Sequence, residues 1–459
     1  MNTIAAIATA TGAGGIGIIR MSGEKCFDIL QKIFIPKDKK LNFKDVKGYT
    51  IKYGYIIDKE TGEKIDEVLV SFFRAPKSYT TENMCEINSH GGVVVERKIL
   101  EQCLLNGADL AEPGEFTKRA FLNGRIDLSQ AESVIDLINA KTDKEAQASF
   151  NQLQGNLSSE LDNIRTELLD VMSDIEASID YPEYDIEETT NKKAINLLNK
   201  IKDRLIKLEN SFENGKILKE GIKTVIVGKP NAGKSSLLNT LLDEDRAIVS
   251  DYEGTTRDTI EEFINIEGIP LKIIDTAGIR NTEDFVEKIG VEKALNLIKD
   301  ADLVIAIFDC SKKLDDEDFK ILNLIKNKKN IILLNKFDLS QKNTETIDYI
   351  SNKNKNVIKA SMKTKMGIKE LYDKILDMFK KDELNMNDGI IITNMRHKNL
   401  MHKAIDNISK AENCINANMP IDITAICIKE TLESLGEITG NNVTEDIINT
   451  IFSKFCLGK

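Results

Sequence analysis

The residues with the plainest chemistry lie mid-chain, in Gly228-Lys229-Pro230-Asn231-Ala232-Gly233-Lys234-Ser235. The spacing is GxxxxGK[ST]. Its flanks read as a strand over 223–227 and a helix opening on Ser236-Leu237-Leu238-Asn239, the strand–loop–helix setting this pattern requires. Glycines there let backbone N–H groups curl around phosphates, and the helix N-terminus adds partial positive charge. Lys234 supplies a cation to the β and γ phosphates, and the Ser235 hydroxyl a magnesium ligand. Asn231, Ala232, Gly233 and Ser236 complete the candidate phosphate contacts.

Further elements follow in a fixed order. A strand over 269–274 runs into Asp275-Thr276-Ala277-Gly278. Asp275 can hold magnesium through water, and the Gly278 N–H can reach the γ-phosphate and sense its loss. A strand over 330–334 ends in Asn335-Lys336-Phe337-Asp338. The Asp338 carboxylate can accept from the ring N–H and exocyclic amine of guanine, a donor pair adenine lacks, and so selects GTP over ATP. Ser361-Met362-Lys363, after a strand over 357–359, stands where the last guanine loop is expected, with Met362 where such loops usually carry Ala. Between the first two elements, Ser250-Asp251-Tyr252-Glu253-Gly254-Thr255-Thr256 reads as a switch segment, with Thr256 the second magnesium ligand. Ile279 occupies the position where a Ras-like hydrolase has a water-orienting Gln, so another group must assist hydrolysis.

These loops need a parallel sheet to hold them, and residues 220–380 alternate strand and helix as such a sheet requires. The flanks differ in texture. Residues 1–124 hold thirteen of the 27 glycines. Short β-rich runs at 16–19, 53–57 and 68–73 alternate with turns, and a helix is expected from near Val93 to the C-cap pair Asn106-Gly107. Further on, Leu157, Leu161, Ile164, Leu168, Val171, Ile175 and Ile179 recur at helical spacing. Ser129-Gln130-Ala131-Glu132 matches a capping box ahead of Val134, Ile135 and Ile138. Pro182 ends the long helix, Ile195, Leu198, Ile201 and Leu205 begin another, and a last apolar stripe runs from Val443 to Phe455. The expected organisation is a mixed α+β domain at 1–124 and a helical domain in two parts, 125–217 and 383–459. An α/β GTPase domain at 218–382 is inserted between those parts.

Composition sets outer limits. At 459 residues the chain should hold several domains, and 41% hydrophobic with 30% charged residues fits a soluble globular protein. A net charge of -11 excludes the chain as a whole from electrostatic nucleic-acid binding, so any RNA contact needs a local basic patch or a partner. Seven scattered cysteines without a CxxC pair, and three histidines, argue against a zinc site and against a secreted disulfide framework. The N-terminus reads without a signal peptide, and the most apolar run, 303–308, is too short to cross a bilayer. A cytoplasmic location is expected.

The ends of the chain carry more particular signatures. An Asp-free opening, Asn2-Thr3-Ile4-Ala5-Ala6, precedes Gly14-Gly15-Ile16-Gly17-Ile18-Ile19-Arg20. Pro113-Gly114-Glu115-Phe116-Thr117-Lys118-Arg119-Ala120-Phe121-Leu122-Asn123-Gly124 and the terminal Phe455-Cys456-Leu457-Gly458-Lys459 follow. With the GTPase elements, these resemble the tRNA-modification GTPase MnmE (TrmE) family over nearly the whole length. The resemblance implies a Ras-like P-loop GTPase domain inserted into a helical domain, after an N-terminal α+β domain similar to tetrahydrofolate-binding folds. It implies potassium-assisted hydrolysis. Asn231 would ligate potassium, and Ser250, Tyr252 and Thr255 would complete the shell, placing positive charge where an arginine finger otherwise would. Glu287 matches the family's water-orienting glutamate, though alone it reads as a solvated helix residue. Arg280 is a candidate for switch contacts. GTP domains would dimerise across their nucleotide faces.

In the N-terminal domain, Arg20, Glu86, Arg125 and Lys459 match folate-contacting positions. A carboxylate can read the pterin's amino–imino edge, and basic groups can face glutamyl carboxylates. Without the resemblance, Arg20 and Glu86 read as an edge-strand salt bridge. Cys456 is a nucleophile near the folate or a structural thiol, and His90 reads as a turn or packing residue rather than a base. The implied reaction adds an aminomethyl or carboxymethylaminomethyl group at position 5 of a tRNA wobble uridine. It uses 5-formyl- or methylene-tetrahydrofolate and a flavoprotein partner, MnmG (GidA), in a heterotetramer with a homodimer of this chain. Gly12 to Gly17 lacks GxGxxG spacing, so FAD is assigned to the partner.

Two other readings compete. A ribosome-assembly GTPase of the Era or tandem type would carry a GxxG appendage or a second phosphate loop. Gly436 and Gly440 do not form the first, and no second loop occurs. A scaffold with a dead nucleotide site is opposed by the joint presence of Lys234, Ser235, Asp275 and Asp338.

Overall fold

The computed structural model describes residues 2–10, 12–180, 187–244, 262–274, 297–379 and 389–459. Two compact units emerge. One joins Met1–Ile135, Gln152–Ser173 and Ala425–Lys459, and the other joins Asp136–Asn151 and Asp174–Thr424.

The first unit starts with β1 (Ile4–Ile7), β2 (Gly17–Ser22), α1 (Cys26–Ile33), β3 (Phe34–Pro36), β4 (Thr50–Ile57), β5 (Lys64–Phe73), β6 (Met84–Ser89), α2 (Val93–Leu105), β7 (Asp109–Leu110) and α3 (Glu115–Leu122). The seven strands form one sheet in the order β3-β4-β5-β6-β2-β1-β7. Val68, Val70 and Phe72 alternate inward along β5 and pack, with Ile19, Met21 and Ile87, against Leu30 of α1 and Ile99 of α2, as expected when one sheet face is buried. The expected helix at Val93 is present, with Gly92 at its N-cap and Asn106 at its C-cap. Arg20 and Glu86 are cross-strand partners on β2 and β6. Because β2 lies between β6 and β1, the pair belongs to the sheet interior and corrects the edge-strand reading.

Helices α4 (Leu128–Asn139), α5 (Asp143–Leu153), α6 (Asn156–Asp180) and α7 (Glu187–Glu220) follow. The capping box sits two residues earlier than the sequence suggests. Asp127 Oδ1 accepts from the Gln130 N–H, and Gln130 Oε1 accepts from the Asp127 N–H. Asp127 is therefore the cap and Ser129 lies inside the first turn, because a carboxylate competes well for the orphan N–H groups. On α6, Leu157 through Ile175 are buried as the spacing predicts, whereas Ile179 is exposed in the last turn.

The second unit holds β8 (Ile222–Val227), α8 (Lys234–Glu244), β9 (Glu262–Ile266), β10 (Ile269–Ile273), β11 (Leu303–Asp309), α9 (Asp316–Ile325), β12 (Asn330–Asn335), α10 (Thr344–Lys353), β13 (Val357–Lys359) and α11 (Ile368–Phe379). Its six-stranded sheet runs β13-β12-β11-β8-β10-β9, parallel except for β9 against β10. Both faces are covered. Ile226, Ile305 and Leu333 meet α8 and α11 on one side; Val225, Ala306 and Leu334 meet α9 and α10 on the other. Near-continuous apolar strands are what a doubly covered parallel sheet demands. α12 (Met395–Asn416) pairs with α7 through Lys202–Glu412 at 2.7 Å and Lys398–Glu213 at 3.0 Å. α13 (Ile421–Thr439) and α14 (Glu445–Phe452) complete the chain. The α/β sheet thus stands in sequence between α7 and α12, as an insertion in helical sequence.

Candidate functional site

Strand β8 delivers the phosphate loop onto the N-terminus of α8. Gly228 and Gly233 take φ of 155° and 113°. A Cβ on Gly228 would come within 2.6 Å of the Ile307 carbonyl, and one on Gly233 within 2.1 Å of Asn335 Nδ2, so both positions exclude a side chain. Lys234 is buried and donates from Nζ to the carbonyls of Gly228 at 2.8 Å and Lys229 at 2.9 Å. Burial holds its pKa below the ordinary lysine value. The ammonium is thus folded across its own loop, at the mouth where a phosphate would replace carbonyls with stronger acceptors.

Two neighbouring loops are tied to it. Asn335, at the end of β12, donates from Nδ2 to the Ala232 carbonyl at 2.7 Å and accepts the Met362 N–H at 3.1 Å. One amide thereby fixes the phosphate loop to both base-reading loops. Ser361 Oγ donates to Asp338 Oδ1 at 2.7 Å, and that bond holds the exposed Asp338 carboxyl below its ordinary pKa against opposing desolvation. Lys336 donates to Asp309 at 2.7 Å. Met362 contributes its backbone N–H here, and its side chain joins the core, so a large residue is accepted where Ala is usual.

Sequence reading missed three groups. Asp309 anchors Lys336 from the end of β11, a strand-end position that could have been noticed. Lys229 reaches Asp315 and Asp318 at the start of α9, and Ser361, read from the sequence only as part of the last guanine loop, orients Asp338 through its hydroxyl. Of the expected GTP-site residues, Asn231, Ala232, Gly233, Lys234, Ser235, Ser236, Asn335, Lys336 and Asp338 are brought to these three loops. Ser250 to Thr256, Asp275 to Gly278, Ile279, Arg280 and Glu287 lie outside the described residues.

A second cluster forms in the first unit. Arg20 Nε donates to Glu86 Oε1 at 2.9 Å, and its Nη1 to the Gly458 carbonyl at 3.1 Å. The Arg20 guanidinium lies 5.6 Å from the Tyr79 ring centroid, and Arg125 covers that ring at 4.5 Å. The Lys459 carbonyl accepts from the Phe116 N–H at 3.1 Å, and the Cys456 carbonyl from the Gly114 N–H at 3.3 Å. Burial, then the nearby Arg20, lower the Lys459 pKa. Arg20, Glu86, Arg125 and Lys459 therefore converge from distant parts of the sequence, with Cys456 beside them. Three cations and one carboxylate, with two of the cations over an aromatic ring, suit a flat heteroaromatic ligand with acidic tails. His90, just past β6, hydrogen-bonds Asp66 of β5 through Nδ1 at 2.8 Å and through its backbone N–H at 2.8 Å.

A doubly covered parallel sheet with a GxxxxGKS loop and an NKxD loop tied to it defines a P-loop GTP-binding protein. The comparisons are more particular. A family model described as MnmE helical domain matches residues 128–456, and one described as GTP-binding protein TrmE N-terminus matches 3–125. A tRNA modification GTPase MnmE of Acetivibrio thermocellus is 52% identical over 459 residues, covering 100% of this chain and 99% of the relative. Proteins of the same name from Finegoldia magna and Alkaliphilus oremlandii are 50% and 48% identical; they cover 99% and 100% of this chain, and 99% of each relative is covered. The chain belongs to the tRNA modification GTPase MnmE family.

Proposed function

We propose that this chain is a potassium-dependent GTP hydrolase in tRNA wobble-uridine modification, coupled to tetrahydrofolate one-carbon chemistry. As a family member it is a GTP-hydrolysing, tRNA-modifying enzyme. The finer reading rests above all on one observation: a guanine-type nucleotide site and the Arg20–Glu86–Lys459 cluster occur in one chain, each built from its own loops.

The phosphate loop fits a magnesium-bound triphosphate: a helix N-terminus, the Lys234 ammonium and the Ser235 hydroxyl form the donor set. Bound magnesium would neutralise developing phosphate charge. Lys234 exchanges its two carbonyl partners for phosphate oxygens, Asp338 reads guanine and Ser235 with Thr256 would hold the metal. Asn231, Ser250, Tyr252 and Thr255 would hold potassium, and Glu287 would orient the attacking water. Around Arg20, Glu86 accepts from a pterin edge, and Lys459 and Arg125 face acidic tails.

A homodimer is supported by an apolar face on the first unit's sheet. Ile35, Ile51, Tyr53 and Leu69 are exposed on β3, β4 and β5, and the register sets Tyr53 opposite Leu69. Contiguous exposed apolar residues of this kind mark an interface. A flavoprotein partner would bring FAD, and together they would act on tRNA in the cytoplasm. Among the described residues no helix is long and apolar enough to cross a membrane. Nucleoside analysis of tRNA from a deletion strain tests the reading. Loss of the modified wobble uridine is expected, and unchanged uridines would overturn it.

A further inference from the structure

Residues 136–151 end α4 and begin α5. They pack with the unit that holds the nucleotide loops, while the chain up to Ile135 and again from Gln152 belongs to the other unit. Their contact is the β9–β10 hairpin. Ile264 and Ile266 of β9 turn into the core, so Phe263 faces the opposite way, directly across from Lys272. Lys141 Nζ stands 3.2 Å from the Phe263 ring centroid and Lys272 Nζ 5.8 Å from it, where a cation is attracted by the ring's quadrupole. Lys144 lays its alkyl stem on the hairpin turn, since a Cβ on Gly268 would come within 2.6 Å of Lys144 Cδ. Glu267 and Gly268 take φ of 49° and 88°, the left-handed pair of a tight two-residue turn.

The segment that presents these lysines is itself pinned. Thr142 Oγ1 accepts from the Glu145 N–H at 3.2 Å, Glu145 Oε2 accepts from the Lys141 N–H at 2.7 Å, and Lys219 pairs with Asp136 at 2.7 Å. A capped helix start therefore holds both lysines against one hairpin. That hairpin has a special place in the sequence. β9 follows the Gly254-Thr255-Thr256 segment and β10 runs into Asp275-Thr276-Ala277-Gly278, so it joins the two stretches expected to respond to the γ-phosphate.

We propose that residues 136–151 are the element that carries nucleotide state out of the GTPase fold, with Lys141 and Lys144 as positioning residues that lock α5 to the β9–β10 hairpin. The inference rests on the GTPase reading and names where its output leaves. A ligand shifts an equilibrium only through contacts that differ between the two states. Here the differing contact is the cation over Phe263, and α5 continues from it at Gln152 into the other unit.

Hydrogen exchange of the amides in 142–151, on the full-length chain with GDP and with a non-hydrolysable GTP analogue, tests this. The exchange rate should differ by about fivefold or more between the two nucleotides, the lower end of ordinary coupling. Lys141→Ala and Phe263→Leu should erase that difference while nucleotide affinity stays within about twofold, and Lys141→Arg should restore it, because a guanidinium also seats on a ring face. Equal exchange with both nucleotides, or a difference that survives both variants, overturns the proposal. So does a loss that merely follows a fall in melting temperature and affinity, which marks a structural contact. A chain that binds neither nucleotide overturns the GTPase reading, and this inference with it.

Discussion

At the scale of single residues, the nucleotide site depends on a few side chains whose work can be separated. Lys234 has the carbonyls of Gly228 and Lys229 as partners. Its replacement by Ala removes contacts worth about 1.5–3 kcal/mol each to a charged ligand, so GTP affinity in a calorimetric titration should fall about 100-fold or more. Asp338→Asn exchanges an acceptor for a donor and should move preference from GTP toward xanthosine triphosphate in competition binding. Met362→Ala should leave affinity within about twofold, because the Met362 N–H, not the thioether, meets Asn335. The sequence already revealed Lys234, Asn335 and Asp338, since motif spacing encodes backbone geometry directly. Asp309, Ser361 as a hydroxyl donor, and Lys229 with Asp315 and Asp318 escaped it, because long-range pairing depends on which strand ends become neighbours.

At the scale of elements, periodicity located the helices and strands, and competition among polar groups fixed their ends. Asp127 took the cap from Ser129, and Asp127→Ala should lower stability in denaturant unfolding by about 1 kcal/mol. Burial pushes the Glu145 carboxyl up to about 7 at the start of α5. The folded state then binds that proton more tightly than the unfolded chain does. Stability is fully present below the ordinary glutamate range and declines as pH rises toward about 7. Glu145→Gln keeps an acceptor for the Lys141 N–H without the charge, so its melting temperature should exceed the parent's at pH 8 and show no gain at pH 5. The opposite order would contradict the burial argument. The docking of Lys141 and Lys144 on the distant β9–β10 hairpin is not encoded in spacing at all.

At the scale of the whole molecule, the α/β order and the insertion between helical segments could be read from texture alone. The closing of the chain's last residues onto its first strands could not, because no local pattern links positions 438 residues apart. Gly458 takes φ of 85°, and a Cβ there would lie 2.2 Å from the Ile7 carbonyl. Gly458→Ala should therefore displace the terminus, weakening 5-formyl-tetrahydrofolate binding about tenfold while GTP hydrolysis stays within about twofold. Most directly, the account is tested by steady-state GTP hydrolysis of the purified full-length chain in potassium chloride against sodium chloride at equal ionic strength. A rate about tenfold or more higher in potassium is expected, equivalent to about 1.4 kcal/mol of transition-state stabilisation. Equal rates in the two salts, or no hydrolysis in either, would contradict it.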